Sequence, residues 1–80
     1  MEVLYSNHFQ KSFRKLPRNI RVRLLREVTL LGQFPRAGKR LHGRLSNFFS
    51  LRVGDYRIIY SLSKNAVRLH DAGHRQNIYS

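Results

Sequence analysis

Residues Leu51 to His74 alternate apolar and polar side chains across two short turns, and nothing else in the chain constrains the fold as tightly. Neighbours along a strand point to opposite faces, so alternation sorts each strand into two surfaces. On Tyr56–Leu62 one surface takes Tyr56, Ile58, Tyr60 and Leu62, and the other takes Arg57, Ile59 and Ser61. On the next strand Val67 and Leu69 share a face, which leaves Arg68, His70, Ala72 and His74 expected on the opposite one. Upstream, Phe49, Leu51 and Val53 oppose Phe48, Ser50 and Arg52. Gly54-Asp55 and Ser63–Asn65 are turn signals that join these three strands into a meander.

The N-terminal half reads differently. Glu2–Ser6 is a short β-prone run. Asn7 is a candidate helix cap, with Gln10 three residues later in the capping-box pattern. Phe9, Phe13 and Leu16 then recur at helical spacing. Pro17 stops this helix or opens the next. Ile20, Leu24, Val28 and Leu31 form a second apolar stripe, with Arg18, Arg21, Arg23 and Arg26 mainly outside it. Gly32, Pro35 and Gly38 mark the exit. Gln33–Leu45 reads as an exposed basic loop carrying Lys39, Arg40 and Arg44.

The order strand-helix-helix-strand-strand-strand predicts a two-layer α+β fold. Both helices pack on one face of a small, mainly antiparallel sheet. The other sheet face has no helix to cover it. Residues 1–80 are expected to form one domain.

Charge narrows the function. There are 16 Lys and Arg against 4 Asp and Glu, a formal net charge of +12 on 80 residues. Self-repulsion on that scale opposes compaction and calls for an acidic partner or substrate, with nucleic acid the leading one. A solvated basic surface that only keeps the chain soluble is the competing reading. The absence of cysteine removes disulfides, thiolate metal sites and a Cys nucleophile. Histidines and acids are scattered without metal-ligand spacing, so no cofactor is expected. No apolar run resembles a signal peptide or a membrane span, which makes a cytoplasmic protein the expectation.

The block Leu51-Arg52-Val53-Gly54-Asp55-Tyr56-Arg57-Ile58-Ile59-Tyr60, followed by Gly73-His74-Arg75 and Ile78-Tyr79, resembles the RelE/ParE superfamily of bacterial and archaeal toxins. The resemblance implies a toxin neutralised by a cognate acidic antitoxin, in a heterotetramer or another higher assembly. RelE-type members cleave messenger RNA, usually at the ribosome and without metal, by attack of a ribose 2′-hydroxyl on the adjacent phosphate. ParE-type members share the fold and poison DNA gyrase, so the site must decide between them. A non-catalytic RNA-binding domain is a further alternative.

By the same resemblance, Arg57 contacts the scissile phosphate, Arg75 stabilises its charge, and Tyr79 transfers a proton or stacks on a base. His74, beside Arg75, is the histidine best suited to acid–base work. Arg52, Ser50, Arg68, His70, Lys39, Arg40 and Arg44 are the expected RNA contacts. The chain departs from the best-known RelE members at Phe48 and Ser50, where those carry lysines. It also lacks the C-terminal helix of some members.

Overall fold

The computed structural model of the protein describes residues 1–77. The chain begins with strand β1 (Glu2–Tyr5), then helices α1 (Asn7–Arg14) and α2 (Arg18–Gln33). Strands β2 (Lys39–Arg40), β3 (Phe48–Val53), β4 (Tyr56–Ser63) and β5 (Ala66–His74) follow. They form a sheet in the order β1-β5-β4-β3-β2. β1 runs parallel to β5, and the other pairs are antiparallel. The expected α+β architecture holds, with β2 and a 3₁₀ turn at Gly43–Leu45 added within the basic loop.

The cap of α1 is Ser6 rather than Asn7. Ser6 is still extended, with φ −69° and ψ 159°, so its Oγ can accept from the Phe9 amide at 2.9 Å. The same hydroxyl donates to the His70 carbonyl oxygen at 3.3 Å, which ties the helix start to β5. Pro17 sits just ahead of α2, where its carbonyl accepts from the Ile20 and Arg21 amides. Gly32 lies inside α2, which runs one residue further to Gln33.

The predicted stripes meet over the sheet. Phe9, Ile20, Leu24, Val28 and Leu31 pack with Phe49, Val53, Ile58, Tyr60, Val67, Leu69 and Ala72. Tyr60 is fully buried, and its hydroxyl is paired on both sides. It donates to the Pro35 carbonyl and accepts from the Gly38 amide, each at 2.9 Å. Burial pushes the phenol pKa up, and the Gly38 bond partly opposes this. Gly38 is required by space, because a Cβ there would fall 2.6 Å from the Tyr60 oxygen. These contacts anchor the segment that carries β2 to the edge of the sheet.

One irregularity corrects the face assignment on β5. Tyr60 pairs with Leu69, yet Ile59 pairs with Asp71, so His70 is an extra residue opposite β4. A bulge of this kind shifts the alternation by one. Val67 and Leu69 point into the core as expected, but beyond the bulge so does Ala72, which pairs with Ile58 and is 4% exposed. His74 moves with Ala72. It pairs with Tyr56 on the helix-covered side, not on the open face with Arg57.

Candidate nucleic-acid interface

The helix-free face of the β3–β4 hairpin is organised in cross-strand rows. Arg52 stands directly opposite Arg57, and Ser50 opposite Ile59. Like charges in direct register are unfavourable in isolation. A hairpin that sets two arginines in direct register on one face therefore suits an anion that would lie between them. Arg57 Nη1 donates to the buried Ser50 Oγ at 3.3 Å, which fixes the guanidinium along the sheet. Arg52 is exposed, and its Nε donates to the Gly54 carbonyl at 3.2 Å. On the far side of Ser50 stands Lys39 of β2, in register with it.

Arg75 follows β5 at the same end of the hairpin. Its amide donates to the Asp55 carbonyl at 2.8 Å. Its side chain lies 3.9 Å from the Asp55 carboxylate, but both side chains are at least half exposed. An ion pair so exposed contributes little and leaves the guanidinium available to a stronger anion. Arg23 is a residue that the sequence did not assign to this region. A Cβ at Gly54 would lie 3.3 Å from Arg23 Nη2, so the guanidinium of this exposed α2 residue lies beside the β3–β4 turn. Helical periodicity carries no signal for that contact.

The opposite end of the hairpin has a different character. His70 bonds Ser61 Oγ through Nε2 at 2.7 Å and meets the Phe48 ring edge-on, with centroids 5.1 Å apart. Burial and, secondarily, the Arg68 charge lower the His70 pKa, which keeps the ring neutral at pH 7. Arg68 is exposed and pairs with Ser61. Arg40 pairs with Phe49, and its Nε donates to the Ser46 carbonyl at 2.8 Å. Arg44 is exposed in the 3₁₀ turn.

His74 lines a separate groove with His8, Ser12 and Lys15 of α1. Its ring packs edge-on against Tyr56, with centroids 5.4 Å apart, and its Nδ1 accepts from the Gln76 amide at 3.2 Å. Beside it, His8 Nε2 lies 3.2 Å from the Asp71 carboxylate, a contact that joins α1 to the bulge. Tyr79, the expected proton-transfer or stacking residue, lies outside the described residues. Among the described residues no group of three or more His, Asp or Glu side chains is placed to hold a metal ion, and no helix is long and apolar enough to cross a membrane.

Comparison with known proteins agrees with this architecture. The family model for the ParE toxin of the type II toxin–antitoxin system parDE matches residues 3–79. No curated protein sequence matches the chain. Among solved structures, the toxin–antitoxin complex RelBE2 from Mycobacterium tuberculosis contains a chain with 28% identity and a TM-score of 0.86, covering 92% of this chain and 96% of that one. The RelB–RelE antitoxin–toxin complex from Methanococcus jannaschii matches at 25% identity and a TM-score of 0.75, covering 95% and 94%. The isolated RelE toxin of E. coli shares the fold at 22% identity and a TM-score of 0.79, covering 98% and 89%. A family match across nearly the whole chain, on a sheet whose open face carries paired arginines, makes this protein a member of the ParE toxin family, and thus a toxin of the RelE/ParE superfamily of type II toxin–antitoxin systems.

Proposed function

We propose that this toxin is an endoribonuclease that cleaves messenger RNA at the ribosome and so blocks translation. The observation that carries the reading is the direct register of Arg52 with Arg57, with Arg57 held by Ser50 on the helix-free face. In the proposed reaction a ribose 2′-oxygen attacks the adjacent phosphorus and the bond to the 5′-oxygen breaks. A 2′,3′-cyclic phosphate and a 5′-hydroxyl result. One proton leaves the 2′-hydroxyl and one reaches the departing 5′-oxygen. The phosphorane between these states carries extra negative charge, which fixed cations stabilise more than they stabilise the substrate.

Arg57 and Arg52 are assigned to the non-bridging oxygens, and Arg75 to the same phosphate from the turn beside them. Guanidinium groups suit the task because they stay charged and bind phosphate oxygens in pairs. Tyr79 keeps the proton-transfer or stacking role that the resemblance implies. His74 does not share the arginine face, so it is not assigned a proton in this scheme. Arg68, Lys39, Arg40 and Arg44 extend the basic surface along the strand path, with the neutral His70 among the proposed RNA contacts.

The antitoxins in the RelBE2 and RelB–RelE complexes are partners of those relatives. For this chain the corresponding partner is an acidic antitoxin that covers part of the basic surface.

The family description favours a second reading, in which the chain inhibits DNA gyrase without cleaving RNA. Pulse labelling after induction of the unpartnered toxin separates the two. The nuclease reading expects protein synthesis to stop first, with cleaved message. Loss of DNA synthesis ahead of translation would support the gyrase reading.

A further inference from the structure

Beyond the arginine row, the helix-free side of the sheet opens into a groove of about 500 Å³ whose wall includes Arg36, Arg40, Asn47, Phe48, Ser61 and His70. We propose that this groove is a nucleobase subsite, which takes one unstacked base of a single-stranded RNA whose cleaved phosphate lies at Arg52 and Arg57. The proposal rests on the nuclease reading above and adds where the neighbouring nucleotide is read.

Three observations carry it. The first is position. Arg57 and Ser61 lie on the same side of β4, four residues apart, which separates them by roughly 13 Å along a strand rising about 3.3 Å per residue. A single RNA strand crossing the sheet can thus place a phosphate at one and a nearby base at the other.

The second is chemistry. Single-stranded RNA is recognised by unstacked bases on aromatic rings and by hydrogen bonds to base edges. Phe48 lines the groove and is only half buried, so part of its ring faces the space. His70 holds Phe48 edge-on and is itself fixed by Ser61. Asn47 is exposed at the rim and offers both a donor and an acceptor. A neutral imidazole likewise carries one donor and one acceptor, which suits a base edge better than a phosphate.

The third is charge. Arg36 and Arg40 are both exposed and line the same space. They supply cations for the phosphate attached to the bound base.

The test is binding of short single-stranded oligoribonucleotides carrying 2′-O-methyl groups throughout, which blocks the attacking hydroxyl. Fluorescence anisotropy compares the wild type with Phe48→Ala, Phe48→Leu, Phe48→Trp and Arg57→Ala. Folding is checked for each by circular dichroism. Phe48→Leu keeps apolar packing and removes only the ring, so it serves if the alanine variant does not fold. Losing one base–aromatic stack should weaken binding by roughly 5- to 100-fold, while Phe48→Trp retains it. An abasic substitution at one position of the oligonucleotide should weaken the wild type by a similar factor and abolish the difference between wild type and Phe48→Leu. The Arg57→Ala loss should persist on that abasic strand.

If Phe48→Leu binds every strand like wild type, or loses the same factor on strands abasic at each position in turn, the subsite is overturned and the arginine site stands. If Arg57→Ala also binds like wild type, the nuclease reading falls together with the subsite.

Discussion

Arg52 and Arg57 face each other across the β3–β4 hairpin with no acidic residue between them in the ladder. The nearest turn acid, Asp55, is engaged instead by Arg75. The ladder thus sets two cationic residues in direct register, an unfavourable pairing in isolation that a bound anion would relieve.

Substituting the arginines assigned to the phosphate tests the proposed nuclease site. Arg57→Ala or Arg75→Ala should lower single-turnover cleavage of ribosome-bound message by about two to three powers of ten, the usual loss for one transition-state charge contact. Lysine at either position should restore only part, because it lacks the planar fork. Arg57→Ala also leaves the buried Ser50 hydroxyl without this donor, at about 1 kcal/mol. A folded Arg57→Ala variant with wild-type rates would remove the assignment.

Gly38 and Tyr60 should be the most sensitive pair in the core. Gly38→Ala would drive a methyl to within 2.6 Å of the Tyr60 oxygen and displace the segment that carries β2. Tyr60→Phe keeps the ring but leaves the half-buried Pro35 carbonyl and Gly38 amide without their partner, at about 1 kcal/mol each. Urea unfolding should show both as lower midpoints. Equal midpoints for Tyr60→Phe and wild type would mean that solvent reaches this site freely.

Both results bear on what the sequence revealed. The two helical stripes and the strand alternation were legible because burial imposes a period on the residues that face the core. Tyr60 was recognisable as a core residue by the same rule. Its clamp on Gly38 was not, because a contact between residues 22 apart leaves no local pattern. The bulge at His70 was hidden for a related reason. His70 and Asp71 are both polar, so the sequence alternates plausibly on either register, and only pairing with β4 reveals the extra residue. Everything placed beyond it by alternation, His74 above all, was therefore assigned to the wrong face. Asn7 yields the capping role to Ser6 because both are good caps, and only the end of β1 decides which residue remains extended.

His70 should make stability depend on pH. Its pKa is lowered in the fold by burial and then by Arg68, whereas the unfolded value is about 6.5. The unfolded chain therefore binds the proton more readily. The neutral ring's contribution is complete above about pH 6.5 and is lost as the pH falls through the lower folded value. Arg36 and Arg40, which line the same groove, stay charged throughout and add no slope. His8 Nε2 lies 3.2 Å from the Asp71 carboxylate in both proteins, so the comparison leaves that contact unchanged. The difference between wild type and His70→Asn should accordingly shrink from pH 7.5 to pH 5 in chemical denaturation. A difference that stayed level would place the ring in an environment as wet as the unfolded chain.

An acidic antitoxin segment that binds only the folded toxin should raise its melting temperature, by an amount that grows with the logarithm of free antitoxin relative to its Kd. At a net charge of +12, affinity should fall steeply with added salt. Calorimetric melting of toxin and complex at two salt concentrations reads both effects. A complex that melts with the free toxin would mean that the partner does not discriminate folded from unfolded chain.

His74 and Arg75 are adjacent in sequence and should behave very differently. Arg75 stands at the hairpin turn through Asp55, while His74 packs on Tyr56 in the groove shared with α1. His74→Ala removes an edge-on aromatic contact, so it should cost about 1 kcal/mol of stability. With no path to the phosphate at Arg57, it should leave the cleavage rate within a few-fold of wild type. The pH profile of that rate should keep its shape, because the proposed scheme routes no proton through this ring. Arg75→Ala should do the opposite, leaving stability nearly unchanged, since its ion pair is exposed, while cutting the rate steeply. If His74→Ala instead matched Arg75→Ala in rate and erased one limb of the profile, His74 would have to reach the open face during the reaction. The bulge at His70 would then be a register that shifts on binding RNA.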